Sequence, residues 1–507
     1  MPFVRRRLAA LLVLVLLAAP AQAQITGQPV PEMAHYDTAM QQVFGQYNIP
    51  GAVVAVAHNG RLVYARGFGL SDVAANEATA PGARFRVASI SKPITAMAVM
   101  KLVETGTLAL DDPAFAYLPD LPAPPGQTED PRLASITIRD LLQHSGGWDR
   151  DGTGYDPMFR VVEIATALGV PAPASAEDVV RYMRGRPLDF APGARYAYSN
   201  FGYAVLGRII ERVSGQSYEA YVQSVLAPTG VTTMAIGGSL ESERLPGEVR
   251  YYDANGATTT SVFPPFATVP WPYGGFAMET LDAHGGWVTS APDLLRFMEA
   301  IDERPARPDV LTPASIQAMR ARPALPTWSG TNYWYGLGLL ANTFSNWWHD
   351  GSLPGTRAYV IRLNYQNLTY CVITNMRPQP ENGFLSALDT ALFQAAQQVT
   401  SWPTHDLFPL FTDGEAPAVA AGVTLSPPAP NPTAGPASLA LTLDAPRSVR
   451  VDVVDALGRT VATLQDGPLA AGLHTLNVDT AALPGGVYVV SAADEDGTQT
   501  QRLTVVR

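Results

Sequence analysis

Phe85-Arg86-Val87-Ala88-Ser89-Ile90-Ser91-Lys92-Pro93-Ile94-Thr95-Ala96-Met97 sets a serine and a lysine three residues apart where a helix begins. Positions i and i+3 share one face of a helix. A serine hydroxyl is a poor nucleophile until a base takes its proton, and a lysine is a poor base until its pKa falls. Desolvation in a partly buried cleft disfavours the ammonium and lowers that pKa. Ser89 and Lys92 are therefore a candidate nucleophile and base that need no histidine. Pro93 suits the first turn of a helix, whose N–H groups lack intrahelical partners. The helix is expected to run through Ile94, Met97, Met100 and Leu102 to a stop at Gly106, and its nearly encircling apolar residues read as a buried core helix.

Ser-x-x-Lys also arises by chance, and composition is what gives this copy its weight. Of 34 basic residues only Lys92 and Lys101 are lysines. Arginine cannot give up its proton and cannot act as a base. A solvated surface gives no reason to keep an amine at position 92 in a chain that otherwise uses arginine, whereas catalysis does. Lys101 lies near the end of the same helix, where the macrodipole accounts for it.

At 507 residues the chain calls for two or three domains. Its formal charge of −11, with no basic run beyond Arg5-Arg6-Arg7, argues against nucleic acid as a partner. Residues 1–23 read as a secretory signal, with that basic head, an apolar stretch over 8–19 too short for a membrane span, and a small-x-small cleavage site at Ala21-Gln22-Ala23. The mature chain is expected to begin near Gln24 and to leave the cytoplasm. The lone Cys371 lies in a strand-like run, has no partner for an internal disulfide, and reads as a small buried hydrophobe. Seven scattered histidines form no ligand cluster, so no metal and no cofactor is implied.

Along the chain, a short helix over 33–46 leads to two apolar runs joined at Asn59-Gly60, a strong hairpin signal. A further helix is expected to start at Thr137. A second polar constellation is Tyr198-Ser199-Asn200, where alternation in an extended loop points Tyr198 and Asn200 into one cleft. A phenol near a depressed-pKa lysine can relay a proton, and an amide can hold both the lysine and a substrate carbonyl. Tyr-x-Asn recurs at Tyr365-Gln366-Asn367, which reads as a hairpin tip. A third stretch, His349-Asp350-Gly351-Ser352, precedes that hairpin. Gly351 lets a strand edge approach a ligand, and the Ser352 N–H can donate to a developing oxyanion. His349 reads equally as a group that orients lysine, tyrosine or substrate and as a packed histidine.

Ser89-x-x-Lys92, Tyr198-x-Asn200 and His349-x-Gly351, in that order, resemble the serine β-lactamase and penicillin-binding family, most closely its class C and esterase-like branch. Asp140-Leu141-Leu142-Gln143-His144-Ser145-Gly146-Gly147 and Gly285-Gly286-Trp287-Val288-Thr289-Ser290-Ala291 look like further landmarks, and the resemblance spans roughly residues 30–395. It implies an α+β fold, a β-lactamase/transpeptidase-like antiparallel sheet flanked by helices with a mostly helical lobe. By the same resemblance Ser89 is acylated, Lys92 and Tyr198 share the proton transfers, Asn200 positions the substrate, and N–H groups of Ser89 and Ser352 form the oxyanion hole. Many relatives carry Lys-Thr-Gly at His349-Asp350-Gly351, and that lysine recognises a substrate carboxylate. Histidine there favours an esterase or D-amino-acid amidase over β-lactam hydrolysis or D-alanyl-D-alanine carboxypeptidase action. A small-molecule ester, amide or peptide is the expected substrate. A surface-displayed binding protein of the same fold is the contrasting expectation, which the intact Ser89, Lys92 and Tyr198 disfavour.

A hydrolase domain is thus expected over residues 24–400, followed by a Pro- and Ala-rich linker over 401–430. Over 431–507, short alternating runs at regular turn spacing predict a small β-sandwich with strands at 437–443, 448–454, 460–464, 473–478, 486–493 and 498–506. Pro430-Asn431-Pro432, Asp455-Ala456-Leu457-Gly458-Arg459 and Leu483-Pro484-Gly485-Gly486-Val487-Tyr488 resemble the C-terminal sorting domain of type IX secretion cargo. That resemblance implies the outer-membrane secretion machinery as a partner and a secreted or cell-surface location.

Overall fold

In the computed structural model, residues 24–411, 423–426, 428–455, 460–493 and 498–506 are described. The expected signal at 1–23, residues 412–422 of the expected linker and the turn motif at 456–459 lie outside them.

The larger unit is built on one antiparallel sheet. Helix α1 (Ala34–Gln46) leads into the hairpin β1 (Gly51–His58) and β2 (Arg61–Asp72). Its turn has Asn59 at φ +51° and Gly60 at φ +77°, the two left-handed residues that a tight hairpin of matching twist requires. The chain then leaves the sheet for the helices α2 (Ser91–Glu104), α3 (Ile138–Leu142), α4 (Asn200–Ser214), α5 (Met278–Gly285) and α6 (Ala291–Glu299). It returns through β3 (Tyr333–Tyr335), β4 (Leu340–Asn342), β5 (Trp347–Leu353), β6 (Thr356–Leu363) and β7 (Leu368–Thr374), and closes with α7 (Glu381–Gln398). The order across the sheet is β2-β1-β7-β6-β5-β4-β3, with the short strand Ile25–Thr26 beside β2. Tyr365–Asn367 forms the tip between β6 and β7, as its sequence predicts.

The two faces of the sheet belong to separate cores. Val54, Val56, Tyr64, Ile361 and Tyr370 pack with Met40 and Phe44 of α1 and Leu388 and Leu392 of α7. Val53, Ala55, Val360, Cys371 and Ile373 face the helical side, with Ile94, Met97, Leu294 and Phe297. Alternation along each strand divides the residues this way. Eleven of the fourteen residues of α2 are buried, which is why its apolar positions encircle it. Cys371 has no exposed surface, and burial pushes its thiol up. Lys101 sits in the last turn of α2, donates to the Val310 carbonyl at 2.8 Å and pairs with Glu104 at 3.4 Å.

The C-terminal unit is a sandwich of β8 (Val423–Leu425), β9 (Ala437–Leu443), β10 (Arg447–Val454), β11 (Thr460–Leu469), β12 (Gly472–Val478), β13 (Gly486–Ala493) and β14 (Thr498–Val505). One sheet runs β8-β9-β12 and the other β11-β10-β13-β14. Leu441, Val449, Val451, Val453, Val478, Val490 and Leu503 fill the space between them. Six strands fall within a few residues of their predicted places, and β8 adds a seventh.

The expected linker is shorter than composition implied. Asp406 accepts the Leu62 N–H at 3.0 Å and pairs with Arg307 at 2.5 Å, and the Leu407 N–H donates to the Leu62 carbonyl at 2.7 Å. Leu407 and Phe408 are buried in the hydrolase core. At the other end, Ala429 and Ser438 exchange backbone hydrogen bonds of 2.7 and 2.9 Å, joining that residue to the sandwich. Proline-rich composition reads as a spacer, and the two buried apolar side chains within the stretch override it.

Glu299, at the end of α6, is 3% exposed and accepts the Thr369 hydroxyl. Burial, reinforced by the Asp302 charge, pushes its pKa from an ordinary 4.5 to about 7. On raising the pH the unfolded chain ionises first while the folded chain keeps the proton, so stability is lost between about pH 4.5 and 7 and is level above. Glu299→Gln keeps the Thr369 contact without the charge. Its stability relative to wild type is expected to rise through that window, reaching roughly 2–3 kcal/mol by about pH 8. Thermal denaturation at the two ends of the window measures this, and a difference independent of pH refutes it.

Candidate active site

The residues ahead of Ser89 are anchored from several sides. Arg86 has no exposed surface, donates to the carbonyls of Pro272 (2.6 Å) and Gly238 (2.9 Å), and lies 4.5 Å from the centre of the Tyr251 ring. The Val87 N–H donates to the Trp287 carbonyl at 3.0 Å, and the Thr356 hydroxyl to the Arg86 carbonyl at 2.8 Å. Ala88 is then held at φ +49°, a left-handed conformation that costs a non-glycine residue about 1–2 kcal/mol. The Ser91 hydroxyl returns to the Ala88 carbonyl at 2.7 Å. Ser89 emerges from this tied turn into a cavity of about 390 Å³, with Tyr198, Asn200, His349 and Ser352 also in its lining.

Lys92 lies beneath the cavity with no exposed surface. Its Nζ donates to Asn200 Oδ1 at 2.8 Å, to the His284 carbonyl at 2.9 Å and to Ser89 Oγ at 3.3 Å. Burial lowers its pKa well below the usual lysine value, the Arg150 charge adds to this, and Asp156 and Asp350 oppose it. The Tyr198 ring stands 4.8 Å from Nζ. Burial pushes the Tyr198 phenol up, against the pull of a hydrogen bond with Ser89 and the Arg150 charge.

Tyr198 and Asn200 reach the same cavity by a different local structure from the extended loop expected. Only Tyr198 is on the extended side. Ser199 caps α4, its hydroxyl accepting the Gly202 N–H at 3.2 Å, and Asn200 is the first residue of the helix. Both polar atoms of the Asn200 amide have protein partners, Oδ1 at Lys92 and Nδ2 at Asp156 Oδ2 (2.7 Å). His349 is 4% exposed. Its Nδ1 donates to the Asp350 carbonyl at 2.7 Å, so Nε2 is left to accept the Tyr335 hydroxyl at 3.1 Å. Burial lowers its pKa to about 4, so the ring is neutral in ordinary buffers. Neither nitrogen is directed to Lys92 or Tyr198, although the ring lines the cavity.

Gly351 belongs to β5, whose pairing with β4 stops at Trp348, so residues 349–353 form a free strand edge. A Cβ at Gly351 would lie 2.1 Å from the Val87 carbonyl oxygen. Only glycine lets this edge meet the turn that carries Ser89. The Ser352 hydroxyl donates to Glu381 at 2.5 Å.

Three site residues escaped the sequence reading. His144 is buried at φ +59°, takes the Ser199 N–H on Nδ1 at 3.1 Å, and lies 4.3 Å from the Tyr198 ring. Arg150 also lies over the Tyr198 ring, 4.5 Å from its centre, and pairs with Asp156, the third of these residues, at 3.3 Å. The charged run Asp149-Arg150-Asp151, directly after Gly146-Gly147-Trp148, was the available signal.

Residues 34–394 match the beta-lactamase family. The chain belongs to that family. Residues 429–506 match the secretion system C-terminal sorting domain, in agreement with the type IX resemblance. Esterase EstB of Burkholderia gladioli is 32% identical over 312 residues, which are 56% of this chain and 73% of the relative. EstCE1, a hydrolase with promiscuous acyltransferase activity, superposes at TM-score 0.57 and 20% identity over 71% of this chain and 98% of its own. The D-amino acid amidase of Ochrobactrum anthropi SV3 does so at TM-score 0.55 and 22% identity, over 72% and 99%. At those identities the two structures speak for the fold alone, which is the β-lactamase/transpeptidase-like one.

Gly351→Ala is expected to cost about 1–3 kcal/mol of stability, because the new methyl group meets backbone and not a movable side chain. Chemical denaturation measures the change, and a variant as stable as wild type would show that β5 can shift freely.

Proposed function

We propose that the chain is a secreted serine hydrolase that cleaves esters or amides through an acyl-enzyme on Ser89. The observation that carries this reading is the fully buried Lys92 amine, 3.3 Å from Ser89 Oγ and depressed in pKa by that burial. A neutral amine at that distance takes the serine proton as Oγ attacks the substrate carbonyl. Tyr198, which shares a hydrogen bond with Ser89, relays the proton from Lys92 to the leaving group. Backbone N–H groups of Ser89 and Ser352 stabilise the oxyanion, and Gly351 lets the second of these approach. Water then releases the acyl group by the same steps in reverse order.

Family membership supports hydrolase chemistry, and the 32% identity to EstB favours esters. The neutral His349 speaks against a substrate carboxylate bound where relatives use lysine, hence against β-lactams and D-alanyl-D-alanine peptides as main substrates. The sorting domain supports secretion or a surface location, with residues 1–23 as the first export signal and the secretion machinery as partner of the C-terminal unit.

Intact-mass spectrometry of the chain after exposure to a fluorophosphonate tests this. One adduct is expected on wild type and none on Ser89→Ala, whose ester hydrolysis should fall by about a thousandfold or more. Incubation with benzylpenicillin is expected to leave neither a stable adduct nor hydrolysed product. Absence of fluorophosphonate labelling on wild type would instead favour a binding protein, and penicillin turnover would move the substrate to β-lactams.

A further inference from the structure

Arg150 and Asp156 stand outside every role given so far, yet they touch two site residues, Tyr198 and Asn200. Asp156 Oδ2 takes the Asn200 Nδ2 hydrogen bond at 2.7 Å and the Arg150 Nη1 contact at 3.3 Å, and its Oδ1 accepts the Met158 N–H at 3.2 Å. The carboxylate is thereby fixed on both oxygens, and its charge dictates that the NH₂ end of the Asn200 amide turns toward it. The carbonyl end is then left for Lys92. Arg150 is clamped in turn, lying over the Tyr198 ring at 4.5 Å with Nε on Asp151 at 3.2 Å. Arg150 and Asn200 also form the wall between the Ser89 cavity and a second cavity of about 290 Å³ lined by Trp148, Tyr155 and Tyr182. Arg150 is therefore held inside the site and not spread over the surface.

We infer that the Arg150–Asp156 pair is the positioning element of the site: Asp156 orients the Asn200 amide toward Lys92, and Arg150 fixes Tyr198 and supplies the positive field in which both Lys92 and Tyr198 exchange protons. The inference rests on the Ser89 acyl-enzyme reading for its catalytic meaning, although the arrangement itself can be measured without turnover. Three histidines surround Lys92, His144, His284 and His349, and burial lowers the pKa of each, so none of them carries charge near neutrality. Tyr198 and Tyr203 face it as neutral rings at 4.8 and 5.7 Å. The charges acting on it are Arg150, Asp156 and Asp350, the last already paired with Arg357 at 2.7 Å. Removing either member of the pair therefore shifts Lys92 in a direction set by its sign.

Because the chain has only two lysines, ¹³Cε-lysine labelling gives one resonance for Lys92 and one for Lys101. In the full chain, Arg150→Gln is expected to move the Lys92 titration to higher pH and Asp156→Asn to lower pH, with Lys101 unmoved in both. Fluorophosphonate labelling of Arg150→Gln near pH 7 should slow by about tenfold and recover at alkaline pH, and Arg150→Lys should restore much of the rate. A merely structural pair would not move the two variants in opposite directions. A Lys92 titration unchanged in both variants, or displaced the same way in both, overturns the inference. If wild type is not labelled at all, the Ser89 reading falls, while the lysine titrations still decide the role of the pair.

Discussion

An ammonium removed from water is unstable unless the protein replaces its hydration, and Lys92 has no exposed surface at all. Three acceptors replace that hydration: the Asn200 amide oxygen, the His284 carbonyl and the Ser89 hydroxyl. An ammonium has three donors, so the charged form is satisfied and the neutral form loses little. A group balanced in this way can change protonation within the fold without disrupting it. Most of the architecture around the site serves to deliver those three acceptors to one point.

Each acceptor comes from a helix end, where backbone groups are short of partners. His284 lies in the last turn of α5, and its carbonyl is one of the orphans of that turn, with the negative end of the helix dipole behind it. Asn200 opens α4 immediately after the Ser199 cap, so the register of that helix is set by a side chain adjacent to the site. Ser89 precedes α2, and the strained Ala88 beside it is over-determined by the contacts to Trp287, Thr356 and Ser91. The sheet then closes on this assembly through Gly351, where any side chain would collide with the Val87 carbonyl.

Local signals carried much of this into the sequence. The Ser89/Lys92 spacing, the Asn59-Gly60 turn, and the strand periodicity of the tail depend only on helix face, turn conformation and alternation. The Tyr198-x-Asn200 spacing makes the Asn200 amide a candidate, but its commitment to Asp156 is invisible in sequence, because that contact spans 44 residues and follows no periodicity. Arg150 and His144 escaped for the same reason. Their neighbour Tyr198 lies about fifty residues away in the chain, and an arginine between two aspartates reads as solvated surface. Leu407 and Phe408 were hidden by the prolines and charged residues around them, since composition averages over a window while burial acts on single side chains.

The charge inventory of the cavity bears on what it can hold. In the family pattern a lysine at position 349 adds a cation to the free strand edge, but here a buried, neutral histidine is turned onto Tyr335 and the Asp350 carbonyl. The two arginines that line the cavity already have carboxylate partners, Arg150 with Asp151 and Asp156, and Arg357 with Asp350. A substrate carboxylate would have to displace one of these pairs and would meet Asp350 or Asp151 as it did so. Tyr196, Tyr335, Phe159, Leu281, Leu340 and Leu353 add aromatic and aliphatic side chains to a lining that is otherwise polar. On the proposed reading, matched charges and these rings suit a neutral acyl group, whose carbonyl needs backbone donors and whose remaining surface gains from leaving water. The same balance explains how Lys92 can be depressed without an adjacent unpaired cation: burial is the larger cause, and the Arg150 charge acts against carboxylates fixed nearby.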